Sequence, residues 1–157
     1  MQREAGRIVE LLQDPGRTAV HLVTLAEEMP VTEALEAHAE ITGPLRLPLG
    51  LAIVNRLHRR TFAPEVLAGL EAAAARSSAA ERALLAAVAE RAVEESGWAA
   101  INAQYLARLR SRLAGVPIVE LPFLFVEEFD RAALGRLSEA LEAQVAAPPR
   151  AAAKRRS

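Results

Sequence analysis

The chain has 157 residues, of which 52% are hydrophobic, and a net charge of -1. This length allows one domain with a substantial apolar core, and the near-zero charge gives no overall electrostatic case for nucleic acid or membrane binding. The chain contains no cysteine, which excludes disulfides, thiolate metal sites and a cysteine nucleophile. No apolar run approaches the roughly 18 residues that span a bilayer, and the charged start does not resemble a signal peptide. We therefore expect a cytoplasmic protein without stable membrane insertion.

The first part of the sequence predicts the end of a helical segment followed by a βαβ unit. Apolar residues recur among charged ones at helical spacing near the start, and two later runs are rich in Val, Leu and Ile. A strand, a helix and a second strand in this order indicate parallel strands joined by a right-handed crossover. The predicted elements are a helix over 3–13, a strand over 18–25, a loop over 26–30, a helix that starts after Thr32 and ends at Gly43, and a strand that ends at Asn55.

The second part predicts a helical block, a third strand and a final helix. Trp98, Ile101, Tyr105 and Leu109 share one helical face, which is more typical of a buried core stripe than of a base-stacking platform. The predicted elements are a helix from Pro64, a helix after Ser78 that breaks at Ser96-Gly97 and resumes up to Gly115, a strand over 116–121, a loop over 122–125, and a helix capped by Asp130.

The organisation predicts one α/β unit with an incomplete sheet. The run Leu51–Val54 is apolar on both faces, as in an interior parallel strand that is covered by helices on both sides. We therefore predict a partial parallel sheet of about three strands flanked by helices. The predicted divisions are the helical end 1–13, the α/β half-domain 14–146 with its helical block 63–114, and a disordered basic tail over 147–157.

Most catalytic and metal-binding patterns are missing from the sequence. The three histidines have no metal-ligand spacing, and no GxSxG motif supports a hydrolase triad. The only lysine is Lys154, in the tail, so the chain lacks the Lys-bearing P-loop that holds nucleotide phosphates. Asn55 follows an apolar strand, where ligands bind in parallel sheets, although an asparagine there also commonly turns the chain.

Three segments match a known arrangement when they are taken together. Residues 12–35 read LQDPGRTAVHLVTLAEEMPVTEAL, which is similar to the pattern DP..T.F..VT.PE.M.V.E and has Val20 and Ala26 at its Phe and Pro positions. Residues 51–56 read LAIVNR, and residues 119–128 read VELPFLFVEE, with Leu134 and Leu137 following. In this order, the segments resemble the carboxyl-terminal half of the ArsA-type anion-transporting ATPases, a family that includes the ATPases that target tail-anchored membrane proteins.

The resemblance implies a P-loop NTPase fold of which this chain supplies the adenine side. It assigns ATP contacts to Asn55, Pro122, Phe123 and Leu124, and it leaves the phosphates and Mg²⁺ to the half with the P-loop and switch regions, which we expect before Met1. The implied partners are that P-loop half or a homologous ATPase subunit, and a client protein. The chain departs from the family at Phe129-Asp130, where the family has a glycine after the adenine-loop glutamate.

Two functions remain open at this point. The first is that the chain is the carboxyl-terminal half of an ArsA-like ATPase, which contributes adenine-side ATP contacts and needs a separate P-loop half for hydrolysis. The alternative is a non-catalytic α/β protein-interaction module derived from that fold. The alternative is considered because a partial sheet exposes an apolar edge to which a partner protein can bind.

Overall fold

The computed structural model describes residues 2–59 and 62–145. In this part of the chain, three strands form one parallel sheet in the order β1-β2-β3. The prediction of an α/β fold with a three-stranded parallel sheet flanked by helices is confirmed, whereas the predicted tail over 147–157 lies outside the described residues. The elements are α1 Gln2–Gln13, β1 Val20–Leu25, α2 Glu28–Thr42, β2 Leu49–Leu57, α3 Pro64–Ala75, α4 Ala79–Arg112, β3 Ile118–Pro122 and α5 Arg131–Val145.

The core lies between one face of the sheet and the helices α2 and α4. Val54, at the centre of β2, is fully buried, and so are Val31 of α2 and Leu109 of α4. Apolar burial of this kind contributes roughly 1.5–3 kcal/mol for each large side chain, so this layer holds the strands and the two helices together. The core residues are Ala26, Val31, Ala34, Ala52, Val54, Leu57, Leu106, Leu109 and Leu113.

The opposite face of the sheet is covered unevenly. Val23, Ile53 and Val119 are paired across the three strands, so their side chains share this face. Val119 is only 2% exposed, on the strand that α5 contacts, whereas Val23 on β1 is 66% exposed. Coverage of this face therefore decreases from β3 towards β1.

Helix α4 is continuous, and the predicted break at Ser96-Gly97 is wrong. The helix runs without interruption over 34 residues, and the Ser96 hydroxyl donates a hydrogen bond to the Ala92 carbonyl oxygen one turn earlier. A glycine inside a helix costs only about 1 kcal/mol relative to alanine, which the packing of such a long helix offsets.

Among the described residues, no helix has the length and apolar character needed to cross a membrane.

The helix α2 begins earlier than its sequence suggests. It starts at Glu28, not after Thr32, and Pro30 lies in its first turn. Proline is tolerated there because the first backbone N–H groups of a helix have no partner within the helix. The predicted loop over 26–30 is therefore two residues long.

The predicted buried stripe on α4 is only partly correct. Leu109 is fully buried, but Trp98 and Ile101 are exposed. The face of α4 that points into the protein instead carries Ala99, Asn102, Leu106 and Leu109, all of which are buried. The helix is thus rotated relative to the prediction, and the rotation places a polar residue inside.

The burial of Leu109 gives a test of this packing. We expect Leu109→Ala to lower the free energy of unfolding by about 2–5 kcal/mol, because it removes a core side chain and leaves a cavity. The matched control is Val93→Ala on the same helix, where the valine is 59% exposed. Urea denaturation of both variants measures the difference, and equal losses for the two would contradict the helix orientation.

Candidate functional site

Strand β2 contains a bulge near its carboxyl end. Val54 pairs with Glu120 and Leu57 pairs with Pro122, so Asn55 and Arg56 together lie opposite the single residue Leu121. Such an extra residue bends a strand and re-aims its side chains, often beside active sites. The prediction that the strand ends at Asn55 is therefore wrong, because pairing resumes beyond the bulge and continues to Leu57.

The backbone of the bulge adopts an unusual conformation. Arg56 has a φ of 54°, in the left-handed region that residues other than glycine rarely occupy. A residue held in this way costs of order 1–3 kcal/mol, and such residues cluster at ligand sites. The Phe123 N–H donates to the Leu57 carbonyl oxygen at 2.9 Å, which ties the end of β2 to the residue after β3.

Asn55 is half-buried at this edge. Its side-chain oxygen accepts a hydrogen bond from the Arg56 N–H at 2.9 Å. A carboxamide carries two further N–H donors, and the hydrogen bonds within the described part of the chain include none donated by the Asn55 amide group. The bulge thus fixes the oxygen and leaves the donor group for another molecule.

Aromatic and charged side chains surround the bulge. The His58 ring stacks on the Phe123 ring with 4.4 Å between centroids, and Phe125 meets Phe123 edge-on at 4.9 Å. The Arg56 guanidinium carbon lies 5.4 Å from the Phe123 centroid, within the range of a cation–π contact. The ring centroids of Trp98 and His58 are 6.1 Å apart. These contacts make an aromatic surface at the carboxyl edge of the sheet.

Asn102 on α4 connects the carboxyl ends of β1 and β2. Its side-chain oxygen accepts from the His58 N–H at 2.8 Å, and its amide donates to the Ala26 carbonyl oxygen at 3.0 Å. Asn102 is only 4% exposed, so both bonds are shielded from water. The His58 ring is also held by Glu95, whose carboxylate lies 2.9 Å from Nδ1. We call the two Asn102 hydrogen bonds the Asn102 clamp. The clamp positions Ala26, which follows β1, and His58, which follows β2.

The structure brings the four predicted site residues to one edge of the sheet. Asn55 lies in the bulge of β2, Pro122 ends β3, and Phe123 and Leu124 follow it. Leu57 pairs with Pro122, so the two strand ends are direct neighbours. That these residues bind a nucleotide stays a prediction.

Sequence reasoning missed several residues of this edge. Arg56 lies in the bulge and His58 follows two residues later, but their contacts with Phe123 depend on the pairing of two distant segments. The sequence predicts Trp98 as part of a buried stripe, whereas its side chain is 48% exposed. Asn102 could have been identified from the sequence. It is the polar member of a series at helical spacing whose other members, Ala99, Leu106 and Leu109, are apolar.

An apolar groove of about 470 Å³ adjoins the aromatic surface. None of the four predicted residues lines it, although Phe125 belongs to both the groove and the aromatic surface, and Glu95 of the groove contacts His58. Among the described residues, no group of three or more His, Asp or Glu side chains is placed to hold a metal ion. The groove is lined by Phe62, Ala87, Val88, Arg91, Ala92, Glu95 and Phe125.

Comparisons with known proteins give a short match. No family model matches the chain. Over 61 residues it is 46% identical to ATPase BagA of Mycobacterium tuberculosis (strain H37Rv) and, equally, to a Mycobacterium bovis protein that is named provisionally as an ATPase. The matched stretch covers 39% of this chain and 17% of each relative. The chain is therefore related, over that stretch, to mycobacterial proteins named as ATPases.

The Asn102 clamp predicts a specific loss of stability. We expect Asn102→Ala to lower the free energy of unfolding by about 2 kcal/mol, because it leaves the Ala26 carbonyl and the His58 N–H buried without partners. Gln104→Ala, which removes an exposed amide two residues further along α4, is the control. Thermal and urea unfolding measure both variants, and an Asn102→Ala protein as stable as the control would refute the clamp.

Proposed function

We propose that this chain is the adenine-side half of an ArsA-like ATPase and that hydrolysis needs a separate P-loop half. The observation that carries the proposal is the meeting of two strand ends: the Asn55-Arg56 bulge of β2 lies beside Pro122 and Phe123 of β3. Both ends lie at the carboxyl edge of a parallel sheet, where ligands bind in α/β folds. The partial likeness to proteins named as ATPases supports the same class of activity.

The chemistry of this edge suits a purine. The two N–H donors of the Asn55 amide can pair with the ring nitrogens on the edge of adenine. Pro122, Phe123 and Leu124 offer apolar surface for a ring face. The Arg56 guanidinium, held over Phe123, is a planar cation that stacks on aromatic rings. Together these groups bind a base by its edge and its face without touching phosphate.

The sequence contains no P-loop motif that could hold a triphosphate. A P-loop uses a lysine to neutralise the terminal phosphates, and the only lysine here is Lys154, outside the described residues. We therefore assign the phosphates and Mg²⁺ to the P-loop half, which we propose as the partner along with a homologous ATPase subunit. Anion transport and the targeting of tail-anchored proteins are the two activities that the resemblance suggests for the assembled enzyme.

A second candidate function is supported by the apolar groove. Val88 and Phe125 of the groove are exposed, as are Leu84, one helical turn before Val88 on α4, and Trp98 further along the same helix. Contiguous exposed apolar surface of this kind marks interaction sites for proteins. Under this alternative the chain is a non-catalytic α/β interaction module, and a client protein is its partner.

Calorimetry with adenosine separates the two functions. We expect the isolated chain to bind adenosine with a Kd in the millimolar range or tighter, and we expect Asn55→Ala to weaken the binding at least tenfold, which corresponds to about 1.4 kcal/mol. ATP without magnesium should bind about as well as adenosine, because we assign the phosphates to the P-loop half.

The control is again Gln104→Ala, which removes an exposed side-chain amide of the same chemistry from α4. It should bind adenosine like the parent. No binding of adenosine by the parent, or equal binding by the parent and Asn55→Ala, would refute the adenine site and favour the interaction module.

A further inference from the structure

Strand β2 has a second bulge, at the amino end of its pairing with β1. There, His21 of β1 alone lies opposite two residues of β2, Gly50 and Leu51. The flanking pairs are Val20 with Leu49 and Leu22 with Ala52. An extra residue of this kind interrupts the ladder of backbone hydrogen bonds. The imidazole of His21 fills the interruption, because its Nδ1 accepts the Leu51 N–H at 3.0 Å.

Gly50 leaves the space that the imidazole occupies. The Cβ atom of an alanine at this position would lie 2.6 Å from His21 Cε1 and 2.9 Å from His21 Nδ1. Any side chain at position 50 would therefore push the ring away from the Leu51 N–H. The glycine, the bulge and the imidazole hydrogen bond thus form one unit, which we call the His21 latch.

The hydrogen bond of the latch requires a neutral ring. A neutral imidazole has one N–H donor and one acceptor nitrogen. Because Nδ1 accepts a backbone N–H, the single proton of the neutral ring lies on Nε2. A second proton would go to Nδ1, where two N–H donors would face each other and the hydrogen bond would be lost. Histidine side chains exchange this proton between about pH 5 and 8.

The ring has no charged partner. Among the described residues, His21 makes no ion pair and no hydrogen bond with a charged side chain. Strand β1 packs against β2 and α2, and β2 carries no titratable residue over 49–55. Helix α2 covers the other face of β1, where the Thr24 hydroxyl donates to the Pro30 carbonyl oxygen.

The charged and titratable groups of the surrounding elements are few. Those of α2 are Glu28, Glu33, Glu36, His38 and Glu40, and those of the connections that enter β1 and β2 are Asp14, Arg17 and Arg46. None of them bonds the ring, so the proton on His21 itself decides whether the contact exists.

We propose that the His21 latch is a pH-sensitive switch, which joins the amino ends of β1 and β2 when the ring is neutral and releases them when it is protonated. Beyond the latch, the Val20 N–H donates to the Pro48 carbonyl oxygen at 2.8 Å, and we expect release to loosen this bond as well. The latch lies at the opposite end of the sheet from Asn55 and Pro122, so the inference does not depend on the proposed function.

Hydrogen exchange of the Leu51 amide, measured by NMR at pH 8 and pH 5 and corrected for intrinsic exchange rates, tests the switch. We expect the parent to lose at least tenfold of its protection at pH 5. His21→Asn should keep equal protection at both pH values, because the asparagine Oδ1 takes the position of Nδ1 and does not titrate. The matched control is His38→Asn on α2, whose imidazole makes none of the hydrogen bonds in the described part of the chain. It should behave like the parent.

Two further measurements bear on the geometry of the latch. Gly50→Ala should remove the protection of Leu51 at both pH values, because the added Cβ displaces the ring. At pH 8, ¹⁵N spectra of the His21 ring should show a proton on Nε2 and none on Nδ1. Equal protection of the parent at both pH values, or a loss at pH 5 in His21→Asn, overturns the switch, and so does a neutral ring with its proton on Nδ1. If Gly50→Ala does not fold, the comparison of His21→Asn with His38→Asn still decides the outcome.

Discussion

The site depends on the parallel pairing of β2 with both of its neighbours. This pairing brings the carboxyl ends of three strands to one edge, and the bulge at Asn55-Arg56 lets β2 continue until Leu57 meets Pro122. Arg56 in this bulge has a left-handed backbone conformation, and its guanidinium carbon lies 5.4 Å from the centroid of the Phe123 ring. The pairing of β2 with β1 and β3 offsets the free-energy cost of this strained conformation.

The same layer that forms the core also fixes the site. Helix α4 contributes Leu109 to the core and, two turns earlier, contributes Asn102 to the clamp between Ala26 and His58. One rigid helix therefore sets the distance between the ends of β1 and β2. Asn102 bonds the His58 backbone and Glu95 bonds its ring. Because the His58 ring stacks on Phe123, these two contacts also position the aromatic surface.

Much of the fold could be predicted from the sequence, because Pro, Gly and apolar runs mark the strands and helices locally. The Asp130 cap is such a case, since its carboxylate accepts the Ala133 N–H at the start of α5. The errors arose where distant contacts decide the outcome. The bulge at Asn55 depends on register with β3, and Gly97 is accommodated because α4 packs along its length. The edge that carries the candidate site was predictable, but the contacts of Arg56 with Phe123 were not.

The central claim is that the edge formed by the bulge and the end of β3 binds a purine. A titration of the ¹⁵N-labelled chain with adenosine, followed by two-dimensional NMR, tests it residue by residue. The account predicts that the side-chain amide of Asn55 and the backbone amides of Arg56, Leu57 and Phe123 shift together with one affinity. Shifts that are confined to the apolar groove between Val88 and Phe125, or no shifts at all, would contradict it.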